Sequence, residues 1–585
     1  MRDTSSYTFR VKNDFFIRQQ ENIFQEKHSW LVFLLVMVIT AAVFAGSLKL
    51  GWTNWDDNFY VYKNPVVRQA DFCGIFTKPA AYNTYNPLVV ASFALEWKLV
   101  GDRPFLYHLD NLILHLLCTA LVLIFFRRMG ISIWWSGFGA LLFSIHPLRV
   151  ESVAWITERK DVLYGFFYLL ALLAYIRYLV SGKAGYFLLT FVLFVLSLLS
   201  KGQAVALPFS LVLLDWYFER KFAWKAVMEK ALFFAFALLI GLLGTTFFFQ
   251  NVYTTKDSGA IVNAFNFFEQ TVLAGYAYAI YILKFFVPYV TSPLYPVPRV
   301  LQTGHWVGAA TAIFILVWAL AVRRRYRFVT FGLLFFTFNI LFLLMPFLAN
   351  DTAYLNDRYI FMAYVGLVFA AAFSMQKLAE GHPDRRIPLA AGAVAALLIF
   401  SVLTIRYIPV WQNSETLWTS VIEKYPRKIS MAYLNRGNDR HEQNRREQAI
   451  EDYTVAIDLN PQSLMAYHNR GLVYLTTHHF DRALQDYNRY LALRGPYDAG
   501  GSEVDIPLSN VLGNRGLIFA QWGQYGQALL DYDAAIKLNP DNANHYLNRA
   551  VAYYQLGRKN EAKRDIQTTE RMGFTVDPSF KELLQ

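Results

Sequence analysis

Residues 30–50 read WLVFLLVMVITAAVFAGSLKL, and GWTNWDDN follows them directly at positions 51–58. An apolar run of this length can cross a bilayer as a helix, because about 20 residues span roughly 30 Å. The acid pair Asp56-Asp57 then lies just beyond the helix end, among tryptophans. Two adjacent carboxylates at a membrane surface are costly unless they bind or react with something. For this stretch alone, a solvated loop with accidental acids is the alternative.

The composition of the whole chain is that of a membrane protein with a soluble part. Hydrophobic residues make up 55% of the 585 positions and charged residues 17%, whereas soluble proteins carry about 25% charged residues. The net charge of +12 comes from Lys and Arg that lie mostly in short loops between apolar runs, as positive cytoplasmic loops do. We therefore expect no nucleic-acid partner. Cys73 and Cys118 make neither a disulfide framework nor a metal site.

Further apolar segments predict an all-α polytopic membrane domain with about 11 crossings. They lie near residues 30–50, 105–126, 131–146, 162–180, 185–199, 203–218, 230–250, 305–322, 328–348, 358–377 and 388–408. With this count, every basic cluster falls on the side of the N-terminus. Residues 1–29 are thus expected in the cytoplasm, residues 30–410 in the membrane domain and residues 411–585 on the opposite side. The first run is too long for a signal peptide, so we expect it to be retained.

One apolar segment does not fit this count. Residues 267–287 could cross, yet a twelfth crossing would move the basic cluster at 323–327 to the wrong side. We therefore predict a re-entrant or interfacial segment there. In the first loop, residues 88–100 are expected to form a short amphipathic helix along the membrane.

Residues 411–585 contain a repeat with a period of 34 residues. The tripeptide Asn-Arg-Gly, or Asn-Arg-Ala in the last copy, begins at positions 435, 469, 514 and 548, so consecutive copies lie 34, 45 and 34 residues apart. Small residues, an aromatic residue and Pro follow at the offsets of the tetratricopeptide repeat. In the first copy they are Gly437, Ala449, Tyr453, Ala456 and Pro461. We predict a tetratricopeptide solenoid of paired helices.

Most repeat residues are expected to build this solenoid, because small side chains let the paired helices approach closely. The concave face of such an array usually holds an extended peptide. Five side chains are candidates for acceptor or peptide binding on that face: Tyr467, Asn469, Tyr474, Asn514 and Arg515.

Charged residues of the membrane domain gather on the side where the acid pair lies. The candidates for a substrate or lipid-phosphate site are His146, Arg149, Glu151, Arg159, Lys160, Lys201, Asp357 and Arg358. Each has a structural alternative, such as a helix end, a local ion pair or a snorkelling lysine. Together, charges at the mouths of apolar helices indicate a substrate path. Arg and Lys suit a phosphate, and a nearby carboxylate suits general-base catalysis on a hydroxyl.

These features predict an enzyme that transfers a sugar from a polyprenyl phosphate to a hydroxyl group. Apolar helices would hold the lipid, cations would hold the phosphate leaving group, and an Asp would take the acceptor's proton. A non-catalytic membrane-anchored scaffold is one alternative, although an anchor needs only one helix. A transporter is another, but it requires charges or broken helices at membrane depth, and Lys284 is the exception to otherwise clean interiors.

Three motifs resemble the transmembrane and tetratricopeptide-repeat O-mannosyltransferases and their bacterial relatives. They are HPLRVESVAW at 146–155, ERKD at 158–161 and LLSK at 198–201. The order of an acid pair, a multi-spanning half and then repeats also matches, so the resemblance covers nearly the whole chain. It implies the fold of GT-C glycosyltransferases, which are inverting enzymes that use polyprenyl-phosphate sugars on the extracytoplasmic face. The acceptor would be a protein or another envelope molecule.

The resemblance also implies roles for individual residues. Asp56 would be the catalytic base, with Asp57 as its partner or orienter. The cations that would meet the lipid phosphate are Arg159, Lys160, Lys201 and Arg358. Asn86 stands where relatives often have Arg, so a phosphate contact at that position is not carried over.

The metal requirement and the compartment follow less directly from the resemblance. Some GT-C enzymes use a divalent metal such as Mg²⁺ or Mn²⁺, which Asp56 and Asp57 could hold, and others use none, so both schemes stay open. The bacterial inner membrane and the endoplasmic reticulum both fit the scarcity of cysteine, and the compact repeat set favours a bacterium.

Overall fold

The computed structural model describes residues 28–77, 84–221, 223–252, 265–289, 291–344, 355–495 and 505–584, apart from the side chains of 243–252. The residues described are helical, without a β-strand among them, which confirms the all-α prediction. They divide into two compact units, the first ending at Tyr425 and the second beginning at Pro426. The predicted cytoplasmic segment 1–29 lies almost wholly outside the described residues.

The first unit contains helices α1 to α17. Their bounds are α1 Ser29–Phe44, α2 Pro65–Arg68, α3 Phe72–Thr77, α4 Pro87–Val100, α5 Pro104–Arg128, α6 Ile133–Ser144, α7 Val150–Ala154, α8 Arg159–Ser181, α9 Ala184–Ser200, α10 Leu207–Tyr217, α11 Trp224–Val252, α12 Phe267–Phe286, α13 Thr303–Ala321, α14 Arg327–Leu341, α15 Ala363–Gly381, α16 Arg386–Tyr407 and α17 Ser414–Lys424. Tighter helical turns lie at Pro147–Arg149, Ile156–Glu158, Gly202–Ala206 and Asp357–Ile360. The structure groups α17 with this unit, whereas the sequence assigned residues 411–585 to the repeats.

Several of these helices are long and apolar enough to cross a membrane, which confirms a polytopic domain. Within the described residues there are five such segments: Ser29–Lys49, Pro104–Arg128, Ile156–Ser181, Thr303–Ala321 and Pro383–Trp411. Three shorter apolar helices accompany them, α6, α9 and α14. The total of eleven crossings stays a prediction.

Within the predicted segment 267–287, Phe267–Phe286 form one unbroken helix, α12, rather than a segment that turns back. The helix begins at a capping box. The Asn266 side chain accepts from the Glu269 backbone N–H, and the Glu269 side chain accepts from the Asn266 backbone N–H. The re-entrant form is wrong, because a re-entrant segment must reverse direction within the membrane, and the interfacial form stays a prediction. The predicted helix in the first loop is confirmed as α4.

Glycine decides how closely α14 and α15 pack. A methyl group at Gly332 would collide with the carbonyl oxygen of Gly366, and one at Gly366 would collide with that of Gly332. Small residues at crossings let helix backbones approach, as in membrane helix pairs generally. This contact helps to fix α15, which follows directly after the turn Asp357–Ile360.

The chain between α1 and α5 folds into a small core of its own. Apolar side chains from α2, α3, α4 and the start of α5 pack together with Ile156, which precedes α8. The buried members include Tyr60, Val67, Phe93 and Tyr107. This core holds the loop that carries Asp56 and Asp57 against the beginning of α8.

The second unit consists of four antiparallel helix pairs and a terminal helix, which confirms the tetratricopeptide prediction for the described residues. The pairs are α18 Ser430–Glu442 with α19 Arg446–Leu459, α20 Leu464–Thr476 with α21 Phe480–Arg494, α22 Ile506–Gln521 with α23 Tyr525–Leu538, and α24 Ala543–Gln555 with α25 Lys559–Arg571. Helix α26, Pro578–Leu584, packs on the last pair. The longer spacing of 45 residues between the second and third copies includes residues 496–504, which lie outside the described residues.

Glycine and tyrosine pack against each other within each of the first three pairs. A Cβ atom at Gly437, Gly471 or Gly516 would lie 2.7, 2.8 or 2.9 Å from the ring of the tyrosine sixteen residues later. The fourth pair has Ala550 at this position, and the facing residue is the smaller Ile566. The extra methyl group is thus accommodated by a smaller partner.

An ion pair with the same spacing recurs in all four pairs. The arginine of each tripeptide donates Nε–H and Nη2–H to both oxygens of one aspartate, at 2.7–3.0 Å. The couples are Arg436 with Asp452, Arg470 with Asp486, Arg515 with Asp531 and Arg549 with Asp565. A half-buried bidentate pair clamps the two helices of each repeat.

The glycine–tyrosine packing gives a test of the repeat fold. We expect Gly516→Ala to destabilise the repeat unit by about 1–3 kcal/mol, because the added methyl overpacks the Tyr532 ring. Tyr532→Ile gives this glycine the smaller partner found in the fourth repeat. The double variant should therefore lose less stability than the sum of the losses in the two single variants. Urea-dependent pulse proteolysis of the full chain measures both.

Gly526→Ala is the matched control, because nothing lies within 4 Å of a Cβ atom on this helical glycine. That change should be neutral or stabilising by up to about 1 kcal/mol. Equal effects of Gly516→Ala and Gly526→Ala would contradict the packing explanation.

Candidate functional site

Asp57 is a buried anchor of the first loop. One of its oxygens accepts hydrogen bonds from the backbone N–H and the hydroxyl of Thr53, both at 2.9 Å. The other accepts from the backbone N–H of Thr157, at 3.1 Å, and from the Thr157 hydroxyl. Burial raises the pKa of Asp57 above its usual value, and these four bonds oppose the rise. Asp57 therefore ties the loop to the turn that precedes α8.

Asp56 faces cations instead. Its carboxylate lies 3.9 Å from the Nζ atom of Lys160, and 18% of the side chain is exposed. Burial raises the pKa of Asp56 to about 6, while Lys160 and Arg358 pull it down and Glu158 and Asp57 push it up. Asp56 is thus largely ionised at neutral pH and remains accessible.

Three cations converge on the buried carboxylate of Glu158. Lys160 lies 3.3 Å from it, Lys201 lies 3.0 Å from it and Arg358 lies 3.5 Å from it. These cations come from α8, from the residue that follows α9 and from the turn Asp357–Ile360. Burying a carboxylate is costly unless it is paired, and Glu158 is paired three times.

Two further acids complete this group. Lys201 also contacts Asp161 at 2.7 Å, and Arg358 contacts Glu151 at 2.5 Å. We call Asp56, Glu151, Glu158, Lys160, Asp161, Lys201 and Arg358 the Glu158 cluster. Burial raises the pKa of Glu151 to about 8, and the neighbouring Arg358 opposes this rise. The cations are thus shared among acids, and an incoming anion would compete with Glu158 for them.

Tryptophans form one wall of the Glu158 cluster. The Trp55 ring lies 4.8 Å from that of Trp155, 5.1 Å from that of Trp418 and 6.3 Å from that of Trp411. The Arg358 guanidinium lies 5.5 and 5.4 Å from the rings of Trp55 and Trp155. Such a wall excludes water and strengthens the electrostatic interactions beside it.

Four residues expected at a phosphate site lie outside the Glu158 cluster. The three guanidinium nitrogens of Arg159 donate to Asn111, Ser92, Glu96 and the Tyr107 carbonyl, and only 1% of its side chain is exposed. Arg159 therefore holds α4 and α5 against α8, and its bonds leave no donor directed at a ligand.

Arg149 and His146 are also engaged in packing. Arg149 donates to the carbonyls of Phe143, Ile360 and Phe361 at 3.0, 3.3 and 2.8 Å. The His146 ring accepts from the Leu148 N–H and lies 3.2 Å from the Phe285 carbonyl. Asp357, the fourth residue, pairs with Lys284 at 2.9 Å instead of joining the cluster.

Glu158 and Asp161 are not among the predicted site residues, although both belong to the ERKD motif at 158–161. Their spacing of three residues could have indicated a common helix face. Thr157 gives no comparable signal, because its hydrogen bonds to Asp57 span 100 residues of the chain. Thr53 lies only four residues before Asp57, so its contact is local in the sequence.

The acid pair does not present a metal site. Both oxygens of Asp57 already accept bonds from threonines, and Asp56 lies beside a lysine. Within the described ranges, no three His, Cys, Asp or Glu side chains stand close enough to hold a metal ion.

In the repeats, several of the expected acceptor-binding residues already contact other side chains of the repeat unit. The Asn469 amide donates to Asn438 at 2.8 Å, and the Asn514 amide donates to the Tyr487 hydroxyl at 3.2 Å. Arg515 clamps Asp531, so its guanidinium has a structural partner. The rings of Tyr467 and Tyr474 lie 6.0 and 5.9 Å from the Arg470 guanidinium.

The comparison with known proteins agrees with this architecture. The TPR repeat family matches residues 437–477 and 516–557. Human protein O-mannosyl-transferase TMTC1 is 26% identical over 490 residues, which cover 71% of this chain and 54% of that protein. Mouse protein O-mannosyl-transferase TMTC2 is 37% identical over 109 residues, covering 18% of this chain and 13% of that protein. The chain spans about half the length of human TMTC1 and a smaller share of mouse TMTC2.

Among solved structures, the crystal structure of MamA covers 27% of this chain and 86% of its own, with 19% identity and a TM-score of 0.24, which is too slight a likeness to inform the fold. The relatives and the repeats agree with the motifs HPLRVESVAW, ERKD and LLSK. The chain is therefore similar to the TMTC protein O-mannosyl-transferases, and it is an integral membrane protein with a tetratricopeptide-repeat unit.

Proposed function

We propose that the chain transfers a sugar, mannose by analogy with its relatives, from a polyprenyl phosphate to a hydroxyl of a protein. The observation that carries this proposal is the Glu158 cluster, which combines the accessible carboxylate of Asp56, 3.9 Å from Lys160, with two further cations on Glu158. The mannosyltransferase names of the relatives support the sugar and the protein acceptor. A membrane-anchored scaffold does not account for a partly exposed carboxylate beside clustered cations, whereas charged groups at the mouths of apolar helices are expected at a substrate path.

In this mechanism Asp56 is the general base. It takes the proton of the acceptor hydroxyl while the hydroxyl oxygen bonds to the anomeric carbon of the sugar. A base with a pKa near 6 is ionised at neutral pH and is a stronger base than an ordinary aspartate. Asp57 does not exchange protons. Its four hydrogen bonds keep the neighbouring Asp56 directed at the cations.

The cations stabilise the leaving group. The bond between the anomeric carbon and the phosphate oxygen breaks, and Lys160, Lys201 and Arg358 receive the polyprenyl phosphate. These cations would exchange part of their contact with Glu158 for the phosphate oxygens, in a site where tryptophans exclude water. Attack opposite to the leaving phosphate inverts the anomeric centre.

The proposed setting is the extracytoplasmic side of a bacterial inner membrane, with the N-terminus in the cytoplasm. Apolar helices would face membrane lipid and the polyprenyl chain. The repeats would bind the protein acceptor, with Asn469 and Asn514 as side-chain amides able to bond a peptide backbone. In this proposal the first unit binds the sugar donor and the second unit binds the protein acceptor.

Substitution of Asp56 and substitution of Asp57 should affect transfer and thermal stability differently. Asp56→Asn should reduce transfer by about a hundredfold or more, because the general base is lost, without lowering thermal stability. Asp57→Asn should reduce transfer and also lower the melting temperature, because an amide cannot accept all four threonine bonds. Purified enzyme and radiolabelled polyprenyl-phosphate mannose measure transfer.

Asp102→Asn is the control for both changes, since Asp102 is an exposed acid of the same loop. It should leave transfer and stability unchanged. Full activity of Asp56→Asn would rule out the carboxylate mechanism.

The pH dependence of transfer gives a second test. Because the base must be unprotonated, the rate should fall as the pH drops through about 6, the pKa of Asp56. Lys160→Met should move this inflection to higher pH, since Lys160 is the main cation that lowers the Asp56 pKa. The residual rate of Asp56→Asn should lack the inflection. An unchanged inflection in the Lys160→Met variant would show that Lys160 does not lower the pKa of Asp56.

Removal of the repeats separates donor chemistry from acceptor binding. A chain that ends at Tyr425, where the first unit ends, should still hydrolyse polyprenyl-phosphate mannose to free sugar. It should lose most transfer to protein, because the acceptor is no longer held. Equal loss of both activities would mean that the repeats stabilise the membrane unit instead.

A further inference from the structure

Helix α12 carries two polar residues one turn apart, and both contact the segment just before Arg358. The Tyr281 hydroxyl accepts from the backbone N–H of Asn356 and donates to its carbonyl oxygen, each at 2.9 Å. Lys284 lies 2.9 Å from a carboxylate oxygen of Asp357. Both side chains are buried, with 0% and 2% of their surface exposed. Residues three apart share one helix face, so α12 holds this segment at two successive points.

Tyr295 joins the contact between Lys284 and Asp357. Its hydroxyl donates to the two carboxylate oxygens at 3.0 and 2.9 Å and accepts from the Lys284 ammonium. The same hydroxyl accepts from the backbone N–H of Ser292 at 2.9 Å. Asp357 is therefore fixed by a cation and a phenol, and its carboxylate is 0% exposed.

The next residue along the chain is Arg358, which lies on the opposite side of the turn in the Glu158 cluster. Its guanidinium contacts Glu151 and Glu158, and its backbone N–H donates to Glu151 at 3.1 Å. The turn Asp357–Ile360 is only four residues long, so a shift of Asn356 or Asp357 must move Arg358.

We propose that Tyr281 and Lys284 of α12 are positioning residues for Arg358, and that they set the geometry with which this arginine binds the phosphate of a polyprenyl phosphate. The proposal rests on the proposed function of the Glu158 cluster. It also gives a reason for the lysine in the apolar segment 267–287. A buried ion pair is weak evidence for stability, because well-packed apolar residues can often replace it, and holding the turn before Arg358 accounts for its presence.

The experiment measures the affinity of the full-length protein in detergent for a C55 polyprenyl monophosphate. Tyr281→Phe should weaken this affinity by about three- to tenfold, because the turn loses both hydroxyl contacts to Asn356. Tyr278→Phe is the matched control. Tyr278 is also buried on α12, but its hydroxyl bonds to Thr337 and not to the turn. Its loss should leave the affinity unchanged.

Combination with Arg358→Gln distinguishes positioning from general stability. Arg358→Gln alone should weaken binding by about tenfold or more, since a charge-assisted contact is lost. In that background Tyr281→Phe should cause no further loss, because it acts through the arginine. Fully additive effects, or equal effects of Tyr281→Phe and Tyr278→Phe, would overturn the proposal.

Lys284 is tested by replacing it together with Asp357, because Lys284→Met alone would leave the buried charge of Asp357 without its cation. Lys284→Met with Asp357→Asn removes both charges and should weaken binding as Tyr281→Phe does, again without further loss beside Arg358→Gln. Unchanged affinity in this double variant would remove Lys284 from the positioning role. Unchanged affinity in Arg358→Gln itself would instead refute the phosphate site of the proposed function.

Discussion

The carboxylate of Glu158 is the point on which the described membrane unit depends. It is buried, and three cations from separate parts of the chain, Lys160, Lys201 and Arg358, lie within 3.5 Å of it. A buried acid with a single missing partner would oppose folding, so each cation is needed where it lies. The same contacts bring α8, the residue after α9 and the turn Asp357–Ile360 together. One electrostatic constraint thus assembles the helices and concentrates cations beside Asp56.

Two adjacent aspartates acquire different chemistry from their surroundings. Asp57 is enclosed by threonine donors and has no capacity left for a substrate, while Asp56 borders Lys160 and keeps part of its surface exposed. Environment alone can assign different roles to two carboxylates in one site. The tryptophans around Trp55 add to this difference, because a dry wall makes the nearby charges interact more strongly.

Arginines that look alike in the sequence also separate into structural and functional groups. Arg159 adjoins the site in sequence but pairs with Glu96, and the arginine of each repeat clamps an aspartate sixteen residues later. Arg358 differs because it faces several acids and two tryptophans at once. A guanidinium whose donors all point into packing contributes to the fold, and only one at a shared, partly exposed position can exchange partners with a ligand.

The sequence by itself determined the all-helical class, the apolar segments, the repeat period and the position of the acid pair. Each of these features follows from local composition or from a fixed spacing along the chain. It also identified Lys160, Lys201 and Arg358 among the charged candidates. Only the tertiary structure decided that Glu158 gathers them and that Arg149, Arg159, His146 and Asp357 lie elsewhere. Pairing of buried charges depends on which helices meet in space, across 43 residues for Lys201 and 207 for Arg358, and spacing along the chain carries no information about such contacts.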